Sequence, residues 1–303
     1  MFSERTVTDS GEVFHDGLMM PPHVPVMADE VTLFLADGKK EGLLVDGTAG
    51  VGGHLSRLLR ALPGMEFLAV DRDPAAVSIL RSRFGDETRV TVRHASYSEI
   101  PRILDEMRLG PASAALFDLG LSSLQLDDPS RGFSHRCDGP LDMRFDGTEG
   151  DTAARLVNGL PEKELADIIY RFGQEGRSRR IAEAIVRNRP VTGSRELADI
   201  VGSVVRGRPV KVLSRVFQAL RIAVNDEMEQ LDTLLGGLHL WTGPGARIAF
   251  ITFHSLEDRR IKLLFRDDPS YRENSPRWLV PGEEEMERNS RARSARLRMG
   301  IRT

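Results

Sequence analysis

Residues Leu43–His54 read LLVDGTAGVGGH: three apolar residues, an acid, and four glycines before a histidine. Leu43, Leu44 and Val45 predict a short buried strand that ends at Asp46. Gly47, Gly50, Gly52 and Gly53 then predict a turn without side-chain bulk, because glycine adopts positive φ and lets a ligand come close to the backbone. A helical pattern runs from His54 to Leu62. The next strand, Glu66 to Val70, ends at Asp71, near the offset at which an acid grips ribose hydroxyls in dinucleotide folds. A glycine turn alone is a weak signal. With a second acid at a second strand end, it predicts a nucleoside site.

The nucleoside is not a dinucleotide by this pattern. A G-x-G-x-x-G fingerprint places a third glycine where this chain has Leu55. A carboxylate at Asp46 also sits poorly beside a pyrophosphate at a helix amino end. It suits a cation. S-adenosylmethionine carries a sulfonium and an ammonium group, so the turn reads as a methyltransferase site.

Downstream, ALFDLGLSSLQLDDPSRGFSHRCDGPLDMRFD (Ala115–Asp146) starts as a buried strand and delivers Asp118 into a long polar loop. Open α/β sheets build reaction sites at such carboxyl ends; the plain alternative is a solvated excursion. Strands are predicted at Leu43–Asp46, Phe67–Asp71, Val90–His94 and Ala114–Asp118, alternating with helices near Leu55–Leu62, Pro74–Arg83 and Ser98–Arg108. That alternation implies a parallel sheet. After Gly147 only helices follow: Thr152–Val157, Glu162–Phe172, Ser178–Arg189, Arg195–Val205 and a long one from Val212 to about Leu235. Arg247–Phe253 returns as a strand and Leu256–Phe265 as a helix. The fold class is α/β, with an all-helical domain inserted into it.

Composition narrows the alternatives. The chain has 303 residues, 40% hydrophobic and 29% charged, as in ordinary globular proteins. The single cysteine, Cys137, excludes an intramolecular disulfide and a multi-cysteine metal site. A reducing cytoplasm is therefore expected, and no metal site is. No apolar run of membrane-spanning length and no leader is read. Residues 1–22 read as a flexible extension. A net charge of −3 argues against a uniformly basic surface, yet six arginines and no acid lie between Arg288 and Arg302. That run reads either as a solvated tail or as a phosphate-binding arm.

These residues resemble the RsmH (MraW) family of S-adenosylmethionine-dependent methyltransferases, which act on N4 of a cytidine in bacterial 16S ribosomal RNA. The resemblance runs through HVPVM (His23–Met27), DGTAGVGGH, AVDRDP (Ala69–Pro74), the DLG-to-DMR loop, FQALRIAVNDEMEQL (Phe217–Leu231), FHSLEDRRIK (Phe253–Lys262) and NSRARSARLR (Asn289–Arg298). It implies a Rossmann-like methyltransferase domain with a helical insertion. The expected division is 23–128 and 213–303 for that domain, and 129–212 for a substrate-recognition insertion.

The resemblance also implies a site. Together with Asp46 and Gly50, the cofactor positions fall on Gly52, Gly53, His54, Asp71, Tyr97, Asp118 and Gln125. Asp118, Ser122, Ser123, Asp142 and Arg144 are the candidates for chemistry. Arg131, Phe133, Arg215, His254, Arg291, Arg293 and Arg296 are the candidates for RNA contact. Asp142 and Arg144 have a plainer reading as a loop-closing ion pair. The chain departs from the family at Lys211-Val212-Leu213-Ser214-Arg215, which lacks a His-Pro pair, and at Phe172-Gly173-Gln174-Glu175, which has lost a carboxylate. The expected partner is 16S rRNA within the small subunit, with no membrane and no obligate protein partner. A diverged methyltransferase on another RNA, or a non-catalytic ribosome-assembly factor, remains open on sequence.

Overall fold

The computed structural model describes residues 25–303 apart from 206 and 208, together with a two-residue antiparallel pair, Phe14–His15 (β1) and Leu18–Met19 (β2). The extension expected over 1–22 otherwise lies outside the described residues, as does His23. The chain divides into two compact units: Met1–Gly120 with Asp232–Thr303, and Leu121–Leu231.

The first unit holds a seven-stranded sheet. Its strands are Gly42–Asp46 (β3), Met65–Asp71 (β4), Val90–His94 (β5), Ala112–Asp118 (β6), Thr242–Thr252 (β7), Tyr271–Glu273 (β8) and Arg296–Arg302 (β9), in the order β5-β4-β3-β6-β7-β9-β8. The first five are parallel, while β9 runs antiparallel to β7 and β8 antiparallel to β9. Near-continuous apolar runs explain the central strands, since both faces of a parallel sheet are covered. Ala114, Ala115, Leu116 and Phe117 of β6 are all buried, as are Ile248 to Ile251 of β7. The order reverses at β3, which pairs with β4 on one side and β6 on the other. Such a switch point opens a crevice at the strands' carboxyl ends, and Asp46, Asp71 and Asp118 end these three strands.

Helices Ala28–Ala36 (α1), Gly53–Ala61 (α2), Pro74–Phe84 (α3) and Ile100–Glu106 (α4) belong to the first part of this unit. The α3 helix begins as its sequence predicts: Pro74 stands in its first turn, and buried Asp73 accepts a hydrogen bond from the Ala75 N–H at 3.0 Å. The second unit contains Ser123–Asp127 (α5), Ala153–Gly159 (α6), Glu162–Gly173 (α7), Ser178–Arg187 (α8), Ser194–Val204 (α9), Val210–Asn225 (α10) and the start of Glu227–Trp241 (α11). Leu165, Ile169, Ile181, Ile185, Leu197, Val216 and Leu220 form its core. Ser255–Asp267 (α12) and Glu283–Arg288 (α13) complete the first unit. Among the described residues, no helix is long and apolar enough to cross a membrane.

The structure departs from the sequence reading in three places. The second unit spans 121–231 rather than 129–212, because the α5 segment and all of α10 pack with the helical core. The long helix expected from Val212 is two helices, broken at Asp226 in the left-handed region (φ 51°). Buried Asn225 fixes that break: its Oδ1 accepts from the Phe145 N–H at 2.7 Å, and its Nδ2 donates to the Met143 carbonyl at 2.7 Å. The arginine-rich run is not a free arm, since its second half is β9, an inner strand of the sheet.

Candidate active site

In the first unit, the glycine turn is held by the acids that flank it. Asp46 is buried at the end of β3, and its Oδ1 accepts from the Thr48 N–H at 3.2 Å. Asp71 clamps the turn from the next strand: its Oδ2 accepts from the Gly50 N–H at 2.7 Å and its Oδ1 from the Asp73 N–H at 2.8 Å. A carboxylate oxygen has two lone pairs, so these bonds leave Asp71 capacity for hydroxyls. At the third strand end the Asp118 N–H donates to Thr48 Oγ1 at 2.6 Å, tying β6 to the turn after β3. Thr48 escaped the sequence reading. Its signal was a hydroxyl directly after Asp46-Gly47.

The glycines divide by role. Gly52 has φ 83°, and a Cβ built on it overlaps the Phe84 ring and approaches Leu80, so this position serves the packing of α3 against the turn. Gly50 has φ 53° and open space where a Cβ would stand. Of the two, Gly50 is the one with room for a ligand. Tyr97 begins the 3-10 turn after β5 and meets Phe117 edge to face at 6.3 Å. Gly120 lies against the ring of Phe253, which leaves no space for a side chain there.

His54 is buried in the first turn of α2, with Nε2 3.7 Å from Asp118 Oδ2. Among the described residues, neither of its ring nitrogens has a hydrogen-bond partner, nor does Asp46 Oδ2. A buried polar group left unpaired costs about 1–3 kcal/mol. Orphaned buried atoms on Asp46 and His54, which flank the turn, make this a candidate ligand site. Burial pushes the Asp46 carboxyl up to about 7, with His54 and the Thr48 N–H opposing it. Burial likewise pushes Asp71 up to about 6 against its backbone hydrogen bonds.

These values set a pH dependence. Between the ordinary value of 3.8 and about 7 the native state retains protons that the unfolded chain has released, so these two groups contribute less stability as pH rises through that window. A cationic ligand favours the ionised carboxylates, so its affinity is expected to climb as pH rises from about 5.5 to 7.5 and then level off. Calorimetry in buffers of different ionisation enthalpy should record proton release on binding at about pH 6; constant affinity across the range would contradict the assignment.

Two of the tail arginines, Arg298 and Arg296, are held by the same acid. Arg298 is buried and donates to both Asp258 oxygens (2.7 and 3.3 Å) and to Glu273 at 3.2 Å. Burial would raise the Asp258 carboxyl, but Arg298 and Arg296 hold it below its ordinary range. Arg296 reaches the same Asp258 at 3.0 Å while remaining half exposed. Arg291 is half-buried in the 3-10 turn Ser290–Ser294, where Arg293 is exposed. His254 caps α12: its Nδ1 accepts from the Glu257 N–H at 3.4 Å, and Glu257 Oε2 accepts from the His254 N–H at 3.2 Å. Its Nε2 lies 3.0 Å from Glu257 Oε1 in a geometry that forms no hydrogen bond.

The remaining candidates lie in the second unit. Ser122 caps α5, with its Oγ accepting from the Gln125 N–H at 3.3 Å. Gln125 returns the bond, its Oε1 accepting from the Ser122 N–H at 3.0 Å. The Gln125 carbonyl oxygen is thus committed to a cap, which the expectation of a cofactor contact did not foresee; Ser123 is the first residue of that helix. Asp142 and Arg144 form a two-pronged ion pair at 2.7 and 2.9 Å. Burial would raise the Asp142 carboxyl, but the Arg144 hydrogen bonds hold it below its ordinary range.

Arg131 donates to the carbonyls of Arg144 (3.0 Å) and Phe145 (2.9 Å), so its guanidinium fastens the loop rather than reaching into solvent. Phe133 is 6% exposed and stacks on Phe145 at 5.8 Å in the helical core. The loop's apolar residues thus help to close that core. Arg215 pairs with buried Glu175 at 3.3 Å and stays half exposed.

A family model described as the MraW methylase family matches residues 20–302. The ribosomal RNA small subunit methyltransferase H of Methylocella silvestris is 43% identical over 307 residues, covering 93% of this chain and 88% of its own. That of Sorangium cellulosum is 43% identical over 288 residues, covering 91% and 89%. An rRNA methylase structure from Streptococcus thermophilus aligns with 90% of this chain and 94% of its own at 12% identity, with a TM-score of 0.40.

Proposed function

Since the chain belongs to the MraW methylase family, we propose that it methylates N4 of a cytidine in the decoding region of 16S ribosomal RNA. It is an S-adenosylmethionine-dependent methyltransferase of small-subunit ribosomal RNA. It works in the cytoplasm, where small subunits are assembled.

One observation carries the site assignment: three carboxylates end three adjacent strands around an open glycine turn, with buried atoms of Asp46 and His54 left unpaired. Bound there, S-adenosylmethionine supplies a methyl group on a positively charged sulfur. Asp46 and Asp118 offset positive charge, Asp71 accepts from ribose hydroxyls, and Tyr97 lends a flat face to the adenine. Gly50 and Gly53 keep the backbone approachable, and His54 offers its ring nitrogens.

The acceptor amine is a weak nucleophile, because its lone pair is delocalised into the ring. The site must hold it in line with the reacting carbon, an alignment that supplies up to roughly 7–11 kcal/mol. It must also accept hydrogen bonds from the amine as positive charge develops. We assign that acceptor role to Asp118. Ser122 and Ser123 begin the loop that orients the base, and the Asp142–Arg144 pair sets that loop's shape. The helical insertion serves substrate recognition, with Arg215 on the RNA backbone.

Asp118→Asn tests the assignment, since the amide keeps the shape and loses the charge. Removing one preorganised electrostatic contact from a transition state slows turnover by about 10²–10³. Labelled methyl transfer to small subunits should fall by about that factor, with circular dichroism unchanged. Wild-type turnover would remove Asp118 from the chemistry.

A further inference from the structure

Trp278 is one of two tryptophans in the chain. Trp241 is buried, packed edge to face on Phe117, whereas Trp278 is 46% exposed. A single exposed aromatic residue carries no meaning by itself; the surroundings of this one do. The Arg296 guanidinium lies over its ring, 5.2 Å from the centroid, and pairs with Asp258 at 3.0 Å. The indole is thus backed by a cation that is itself anchored.

Its place in the sheet is defined by pairing. Leu279 bridges Leu297 of β9 through two backbone hydrogen bonds of 2.9 and 3.0 Å, so this segment extends the sheet past β9. Leu297 stands opposite Ile251 of β7, and Ile251 opposite Asp118 of β6. One row of the sheet therefore runs from Asp118 to Leu279. Adjacent strands are about 4.8 Å apart, which puts Leu279, and Trp278 next to it, about 14 Å from Asp118 at the same end of the sheet.

The chemistry of this surface favours nucleic acid over protein. Its apolar part is small, limited to Trp278 and half-exposed Val280. Cations share this surface: Arg296 over the ring, and Arg277 directly before it in the chain, whose side chain is 79% exposed despite a 3.7 Å contact with Glu273. Unpaired bases stack on aromatic faces and on arginine planes, while arginines follow the phosphates. We propose that Trp278 and Arg296 form a stacking platform for an unpaired base of the RNA near the nucleotide that receives the methyl group. This rests on the reading of the protein as an rRNA methyltransferase, and it assigns the β9 end of the sheet to substrate rather than cofactor.

Two measurements test it. Trp278→Ala should raise the KM for undermethylated small subunits between about fivefold and a hundredfold, the range of a lost base–aromatic stack. Affinity for S-adenosylmethionine should not change, and Trp278→Phe should restore most of the loss. Wild-type KM in Trp278→Ala would overturn the platform, while a wild-type protein that methylates no RNA would instead overturn the underlying reading. Independently, a Trp241→Phe background leaves Trp278 as the only indole. A single-stranded RNA oligonucleotide should quench its emission and a blunt duplex of the same sequence should not. Equal quenching by both, or none by either, would overturn the proposal.

Discussion

Arg298→Ala is expected to lower stability by about 3–5 kcal/mol, the range for removing one partner from a buried ion pair. Arg298 is 3% exposed on an inner strand, and it shares buried Asp258 and half-buried Glu273. Truncation leaves both carboxylates desolvated without their strongest donor, with Arg296 the remaining partner of Asp258. Calorimetric melting should show a drop of many degrees, and Asp258→Leu combined with Arg298→Met should recover part of it, since no orphan charge is left at 258 and Glu273 keeps its contact with Arg277. A variant within about 1 kcal/mol of the wild type would mean that β9 is held by its backbone alone.

The second large effect concerns the glycine turn. Gly52→Val is expected to destabilise the first unit by about 2–5 kcal/mol, combining a left-handed backbone (about 1–2 kcal/mol) with overpacking against Phe84 and Leu80 (about 1–3 kcal/mol). Its effect on the cofactor would then be secondary to loss of the fold. Gly50→Ala has the strain without the clash, because its Cβ enters open space. It should remain folded and bind S-adenosylmethionine more weakly. Equilibrium unfolding beside calorimetric binding separates the two; a fully stable Gly52→Val would show that the turn is not packed as described.

Much of the fold was legible because parallel strands announce themselves as apolar runs ending in acids. Leu43–Asp46, Phe67–Asp71 and Ala114–Asp118 all lie within observed strands. The sheet's far edge was not read. Yet Arg296-Leu297-Arg298-Met299-Gly300-Ile301-Arg302 alternates with period two, as a strand should, and it was the arginine content that obscured the pattern. Tertiary pairing with Asp258 and Glu273 is what allows such a charged strand inside a sheet, and no local sequence signal reveals that partner. The Asp226 break was hidden for a similar reason: apolar periodicity continues through it, and only the long-range bonds of Asn225 stop the helix.

The acids were legible as strand ends, whereas the loop's own packing was not. Asp46, Asp71 and Asp118 stand on adjacent strand ends, as their spacing implied. Residue type alone could not separate a side chain offered to a ligand from one used to shape a loop. Arg131, Phe133 and the Gln125 carbonyl oxygen are all taken up by the second unit's own structure.

We propose that this protein places a methyl group on a cytosine amine of small-subunit RNA. The direct measurement supplies labelled S-adenosylmethionine and small subunits from a strain lacking the enzyme, then digests the RNA to nucleosides. The label is expected in a single modified nucleoside, N4-methylated cytidine, and should be absent with the Asp118→Asn protein. Label confined to ribosomal protein, to another nucleoside, or to no product at all would contradict the account.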